Sequence, residues 1–196
     1  RQRQMCIRDR YKYENMLYTM LLSGKEVKNA LEMSYDLWTN QMKSPDDHLL
    51  LLRKKRREGA NDRASFQNFS FNFDSAAGII YTVDVTKPRG EKVTIVSMAD
   101  GSPFSMDKMY KVALNSYRGN GGGELLTKGA GISQDELKDR ILFSTDKDLR
   151  YYLMQYIEKK GGIEPHALGH WKFVPEEWTV PAAKRDYEYL FGKVEK

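Results

Sequence analysis

A chain of 196 residues, 40% hydrophobic and 30% charged, is long enough to bury a core of its own, and no apolar run in it approaches the ~20 residues of a membrane-spanning helix. The net charge of +5 is local: the first ten residues carry +3, Arg53 to Arg57 carry +5, and the rest of the chain stands at −3. No aromatics interleave the basic run as a single-strand binder requires, which argues against nucleic acid, and the lone Cys6 excludes an internal disulfide.

In chain order, Arg1 to Arg10 shows no period, and no signal-peptide pattern opens the chain. These residues read as a foreign leader or disordered tail before a domain over 11–196. Met16 to Leu22 is a short apolar run suited to a buried strand. Ser23 and Glu26 form a capping box, and the helix it opens is expected to run to about Gln41. Its core face is Val27, Ala30, Leu31, Ser34, Tyr35 and Trp38. Residues 44–65, polar and basic around Leu49 to Leu52, read as a long loop. Phe69, Phe71 and Phe73 alternate with polar residues as in a strand. Residues 78–85 and 92–96 read as paired strands joined by Lys87-Pro88-Arg89-Gly90, and Asp100 to Pro103 is another turn. A further strand runs from Met109 to Leu114 and leads to Tyr117. Ser133 and Glu136 make a second capping box. Ser144 or Thr145 is expected to cap a third helix, with Asp146 and Asp148 as acids of its first turn and Gly161-Gly162 as its stop. The tail with Trp171, Pro175 and Trp178 is expected to pack irregularly. Helices mixed with hairpin-type strand pairs predict an α+β fold, a mixed β-sheet with packed helices.

The stretch Asn115-Ser116-Tyr117-Arg118-Gly119-Asn120-Gly121-Gly122-Gly123 stands out for function. Glycine adopts φ > 0 and admits a ligand against the backbone, and Tyr117 offers a flat face on which a base or sugar can lie. No catalytic constellation accompanies it. There is no G-x-S-x-G, and the glycine run lacks the Lys-Ser/Thr of a P-loop. His166 and His170 are four apart, but Pro165 and Gly169 disfavour a ligand-bearing helix between them. The residues predict a binding surface without catalytic or metal-ligating groups, one half of a larger machine.

Three blocks carry a family resemblance. Tyr13-Glu14-Asn15-Met16-Leu17 with Leu22 to Glu32, Ala77 to Asp84 with Lys87 to Val93, and Met106 to Ala113 running into Asn115-Ser116-Tyr117 and Asn120-Gly121-Gly122 resemble the C-terminal domain of bacterial 5′-nucleotidases and 2′,3′-cyclic-nucleotide 2′-phosphodiesterases. The resemblance implies a two-domain metallophosphatase, periplasmic or extracellular. Its N-terminal domain, upstream of these residues, would hold two divalent metal ions and hydrolyse the phosphoester; no metal or other cofactor would bind this chain. The partner of this domain would then be a nucleotide or nucleoside, together with the catalytic domain of the same polypeptide. Tyr13 and Tyr117 would sandwich the base, Asn15 would make a polar contact to the nucleoside, and Asn120, Gly121, Gly122 and Gly123 would line the slot.

One departure bears on the sugar. Where the family often has Gly-Gly-Asp, with the acid taking hydrogen bonds from the ribose hydroxyls, this chain has Gly123, and Glu124 follows one residue late. The rival reading is a stand-alone nucleoside- or sugar-binding module. A terminal segment without apolar pattern has little to bury. Deleting residues 1–10 is therefore expected to leave the Tm unchanged by calorimetry, and a fall of several degrees would refute the leader reading.

Overall fold

The computed structural model describes residues 13–53 and 65–192, which form two compact units, residues 13–26 with 107–168, and residues 27–53 and 65–106 with 169–192. In chain order the elements are β1 (Met16–Ser23), α1 (Gly24–Asp36), β2 (Leu52–Arg53), β3 (Ser65–Phe66), β4 (Ile79–Asp84), β5 (Val93–Met98), β6 (Met109–Asn115), α2 (Ser116–Gly119), α3 (Glu136–Asp139), β7 (Ile141–Asp148), α4 (Leu149–Lys160), β8 (Trp171–Val174) and α5 (Glu176–Phe191). Residues 1–10 and Lys54 to Arg57 lie outside the described residues. Among the described residues no helix is long and apolar enough to cross a membrane.

In the first unit β1 is the middle strand of a three-stranded antiparallel sheet ordered β6-β1-β7. Met20 and Leu22, two residues apart and so on one face, are both buried. Leu125, Leu126, Ile132 and Leu137 are the other buried apolar residues of this unit. The β1–β7 register shifts between Met16 and Tyr18, where the Leu17 amide donates instead to Thr145 Oγ1 at 3.0 Å. That bond draws Ser144 and Thr145 into strand β7 rather than a helix cap. Asp148 caps α4 in their place, its Oδ1 accepting from Tyr151 N at 2.9 Å, and Gly161 at φ 74° ends that helix. Asp146 is still in the strand, accepting from the Tyr152 hydroxyl, which holds its carboxyl below the usual range. Both capping boxes form: Ser23 N donates to Glu26 Oε2, and Ser133 N to Glu136 Oε2 at 3.0 Å.

In the second unit β4 is flanked by β5, antiparallel, and β8, parallel, a mixed sheet. Leu31 and Tyr35 of α1 pack on Ile79, Tyr81, Val83 and Val93. Phe73, Trp171 and Phe173 meet the Tyr35 ring edge-on at 5.3–5.9 Å. Burial pushes the Tyr35 hydroxyl pKa up strongly, and its bond to the Tyr81 hydroxyl at 2.9 Å adds to the rise.

Four expectations fail in this unit. Helix α1 ends at Asp36 rather than near Gln41, because the backbone beyond it is taken by another segment: Thr39 bridges to Leu50, and Asn40 N donates to Leu49 O at 2.9 Å. Phe69, Phe71 and Phe73 form no strand. Ser70–Asn72 is instead a 3-10 turn, closed by Asn72 N to Phe69 O at 3.0 Å and Phe73 N to Ser70 O at 3.3 Å. It is tied down on either side, where Asn68 Nδ2 donates to Leu37 O and Ser34 Oγ holds Asp74 by its N–H and carbonyl, both at 2.7 Å. Phe73 alone turns into the core, while Phe69 and Phe71 stack together, exposed. The tail is regular: β8 sets Trp171 opposite Tyr81 and Phe173 opposite Val83, and α5 buries Thr179, Ala182 and Asp186. The apolar patch after Pro45 is also structured, with Leu49 buried and Leu52 paired to Phe66.

Glu32 ties α1 to the sheet. Its buried carboxylate accepts Lys92 N at 2.9 Å and Val93 N at 2.8 Å at the start of β5. Glu32→Ala would leave both amides buried without a partner and is expected to cost about 2–4 kcal/mol. Lys28→Ala, which removes only a part-exposed ion pair, is expected to cost less than about 1 kcal/mol. Urea unfolding of the two variants checks the contrast.

Candidate functional site

Strand β6 ends where Asn115 Oδ1 accepts Arg118 N at 2.8 Å, a side-chain cap that turns the backbone into the single-turn helix α2. Tyr117 therefore sits inside a helical turn and not at the strand's end, as its position after Leu114 suggests. The turn lies close against β1: a Cβ on Gly119 would come 2.4 Å from Tyr18 Cδ2. Beyond it Gly121 (φ 88°), Gly123 (φ 72°) and Glu124 (φ 63°) take left-handed conformations. Glycine does so without strain, whereas Glu124 is held there at a cost of about 1–2 kcal/mol.

The glycines have occupants within the protein. A Cβ on Gly122 would lie 2.5 Å from both Tyr117 Cε2 and the Tyr117 carbonyl oxygen, so the missing side chain is the seat of the tyrosine ring. A Cβ on Gly121 would meet Gln134 Oε1 at 2.6 Å, and Gln134 Nε2 donates to Asn120 O at 3.0 Å. Asn120 itself is exposed. Tyr117 is 41% exposed despite its seat, which leaves part of the ring open to solvent.

The other side of the rim comes from the segment before β1. Antiparallel pairing sets Leu17 opposite Asn115, so the start of β1 and the end of β6 share one end of the sheet. Tyr13 lies there, 71% exposed. The backbone behind it is held firmly. Asn15 O accepts Leu149 N at 2.8 Å, Met16 N donates to Ser116 Oγ at 3.1 Å, and Ser116 Oγ lies 3.5 Å from Asn15 Oδ1. Arg150 bridges Glu14 at 2.8 Å and Asp148 at 2.6 Å, and its guanidinium holds the Asp148 carboxyl below the usual carboxylate range.

All the residues singled out in the sequence, Tyr13, Asn15, Tyr117, Asn120, Gly121, Gly122 and Gly123, thus belong to the first unit. Glu124 is exposed and paired with Lys128 at 2.8 Å. Sequence reasoning passed over Ser116, Arg118 and Arg150. The Asn115-x-x-Arg118 spacing of a helix cap was a usable signal for the second of these. Ser116 meets Met16, 100 residues away, and Arg150 joins its neighbour Asp148 to Glu14, 136 residues away, a link no local pattern shows. Among the described residues no group of three or more His, Cys, Asp or Glu side chains could hold a metal ion.

Comparison with known proteins adds the family. The model of the 5′-nucleotidase C-terminal domain matches residues 6–128, well over half of the chain. The chain belongs to this family. Among curated relatives of this 5′-nucleotidase C-terminal domain, the trifunctional nucleotide phosphoesterase protein YfkN of Bacillus subtilis is 30% identical over 185 residues, 87% of this chain and 11% of that protein. A 2′,3′-cyclic-nucleotide 2′-phosphodiesterase/3′-nucleotidase of Salmonella typhimurium is 29% identical over 85% of this chain and 25% of its own length. The chain thus spans a quarter or less of these relatives. Its fold matches that of a Staphylococcus aureus protein described as a 5′-nucleotidase, with a TM-score of 0.60 at 18% identity over 85% of this chain and 29% of that one. A 5′-nucleotidase precursor from Thermus thermophilus matches with a TM-score of 0.57 at 19% identity, over 87% of this chain and 27% of that one.

The seating of Tyr117 on Gly122 in this 5′-nucleotidase domain is directly testable. Gly122→Ala must displace the ring or the backbone, and overpacking of this kind costs about 1–3 kcal/mol. The expected outcome is a lower urea midpoint for Gly122→Ala with the slope m unchanged.

Proposed function

We propose that this chain is the nucleoside-gripping domain of a two-domain, metal-dependent phosphohydrolase of the 5′-nucleotidase family, working in the periplasm or outside the cell. One observation carries the reading: two exposed tyrosines, Tyr13 and Tyr117, flank adjacent antiparallel strands at the same end of one sheet. Rings presented in this way suit a flat heterocycle, because each base–aromatic stack contributes about 1–3 kcal/mol and tolerates different bases. Asn15, at the foot of the Tyr13 segment, supplies an amide for the nucleoside. Asn120, exposed beside the turn, supplies a second polar group, and Gly121 and Gly122 serve by seating Gln134 and the Tyr117 ring.

Hydrolysis belongs to a separate domain in this reading, where two divalent metal ions supply Lewis-acid activation at the phosphate. The described residues offer no ligand group for such ions. The role of this chain is to bind and orient: stacking fixes the plane of the base and so the direction in which the phosphate is presented. Gly123 stands where an acid would take the ribose hydroxyls, and the Glu124 carboxylate is turned to Lys128, so the proposal places recognition in the base more than in the sugar.

Two measurements test the proposal. Calorimetric titration with adenosine should show binding that weakens roughly 5- to 150-fold in Tyr13→Ala or Tyr117→Ala, and much less in the Tyr→Phe variants, since stacking uses the ring face. Equal affinity in wild type and Tyr117→Ala would end the sandwich reading. With added Mn²⁺ the chain alone should release no phosphate from AMP and convert no cyclic AMP to a monophosphate; metal-dependent turnover would overturn the division of labour.

A further inference from the structure

Arg118 is a cation with only 5% of its surface exposed, in a turn where the binding reading uses its neighbour's ring. Among its contacts, three lie within the same turn. Its backbone N–H is held by Asn115 Oδ1 at 2.8 Å, and its Nη1 donates to Gly122 O at 3.0 Å. Its guanidinium carbon lies 5.3 Å from the centre of the Tyr117 ring. The carbonyl it binds belongs to the same glycine whose missing Cβ makes room for that ring. Ring, glycine and guanidinium therefore form one closed triangle.

We propose that Arg118 is the positioning residue of the stacking platform: it pins the Gly122 backbone and lies against Tyr117, so that the ring is held at one fixed angle before any ligand arrives. The proposal rests on the binding role given to Tyr117. Arginine suits the task because its planar fork donates to a carbonyl in one direction while resting on an aromatic surface, in a way that the point charge of lysine cannot. A pre-set ring spares the ligand the loss of side-chain freedom on binding. Arg118 need not touch the base to matter for it.

The experiment uses the full chain with ¹³C-labelled tyrosine rings, the Tyr117 signals being identified by Tyr117→Phe. Without ligand, Arg118→Gln should move the Tyr117 signals toward random-coil positions while those of Tyr156, on α4 of the same unit, stay in place. Unmoved Tyr117 signals would overturn the proposal. In adenosine titrations Arg118→Gln should weaken binding about 3- to 30-fold. The same change made in Tyr117→Ala should alter the affinity by less than about twofold, because the residue it acts through is gone. An equal loss in both backgrounds would mark a direct contact or general destabilisation and would also overturn it. If Arg118→Gln fails to fold, Arg118→Lys replaces it in both arms: the charge stays but the fork is lost, and wild-type ring signals in that variant refute the proposal. If wild type binds no adenosine, the base-binding reading falls, and the ligand-free ring signals still decide the role of Arg118.

Discussion

Pairing of β1 with β6 sets Leu17 opposite Asn115, and the candidate rim follows from that register. Successive side chains of a strand point to opposite faces, so a slip of one residue would carry Met20 and Leu22 out of the core. Burial of two large apolar side chains, worth about 1.5–3 kcal/mol each, is thus what keeps Tyr13 and Tyr117 at the same end of the sheet. The aromatic positions depend on hydrophobic burial several residues away, which neither tyrosine contributes to directly.

The turn after β6 is rigid for reasons that can be named. Three of four consecutive residues, Gly121, Gly123 and Glu124, have left-handed backbones. Such a path is adopted only when its surroundings determine it. Asn115 closes the turn from one side, Gln134 from another, and Arg118 from within. Side chains thus meet backbone groups that helix and strand ladders leave open, the general requirement for a buried polar backbone. The outcome is a loop with one shape, on which an aromatic ring has one place to rest.

The second unit holds polar groups of a different kind. Lys92 is 1% exposed, and its ammonium meets Thr39 O and Thr39 Oγ1 at 3.0 Å and Asp36 at 3.3 Å. Burial pulls its pKa down more than Asp36 raises it. Together with Glu32 on the Lys92 and Val93 amides, these bonds join the last turns of α1 to the start of β5. Removing either partner would strand a charge or an amide in a low-dielectric core, so α1 has one register on the sheet.

Local signals alone determined much of this. The β1 run, the two capping boxes, the hairpin of β4 and β5 and the Gly161 stop each depend on residues within a few positions of one another, and each forms. The order of the blocks also sufficed to recognise the family and its α+β fold. Tertiary structure decided the rest, through partners distant in sequence. The Phe69 to Phe73 alternation gave way to a 3-10 turn anchored on either side at Leu37 and Ser34, and the tail gained a strand because β4 had an open edge for Trp171 to Val174. Thr145 was claimed by Leu17, which passed the cap of α4 to Asp148. At the candidate site Tyr13, Tyr117 and the glycines were legible as residue types. That Gly122 is the seat of a ring and Arg118 its neighbour was not, because side-chain contact depends on how the chain turns after Asn115, and no spacing in the sequence encodes the angle of that turn.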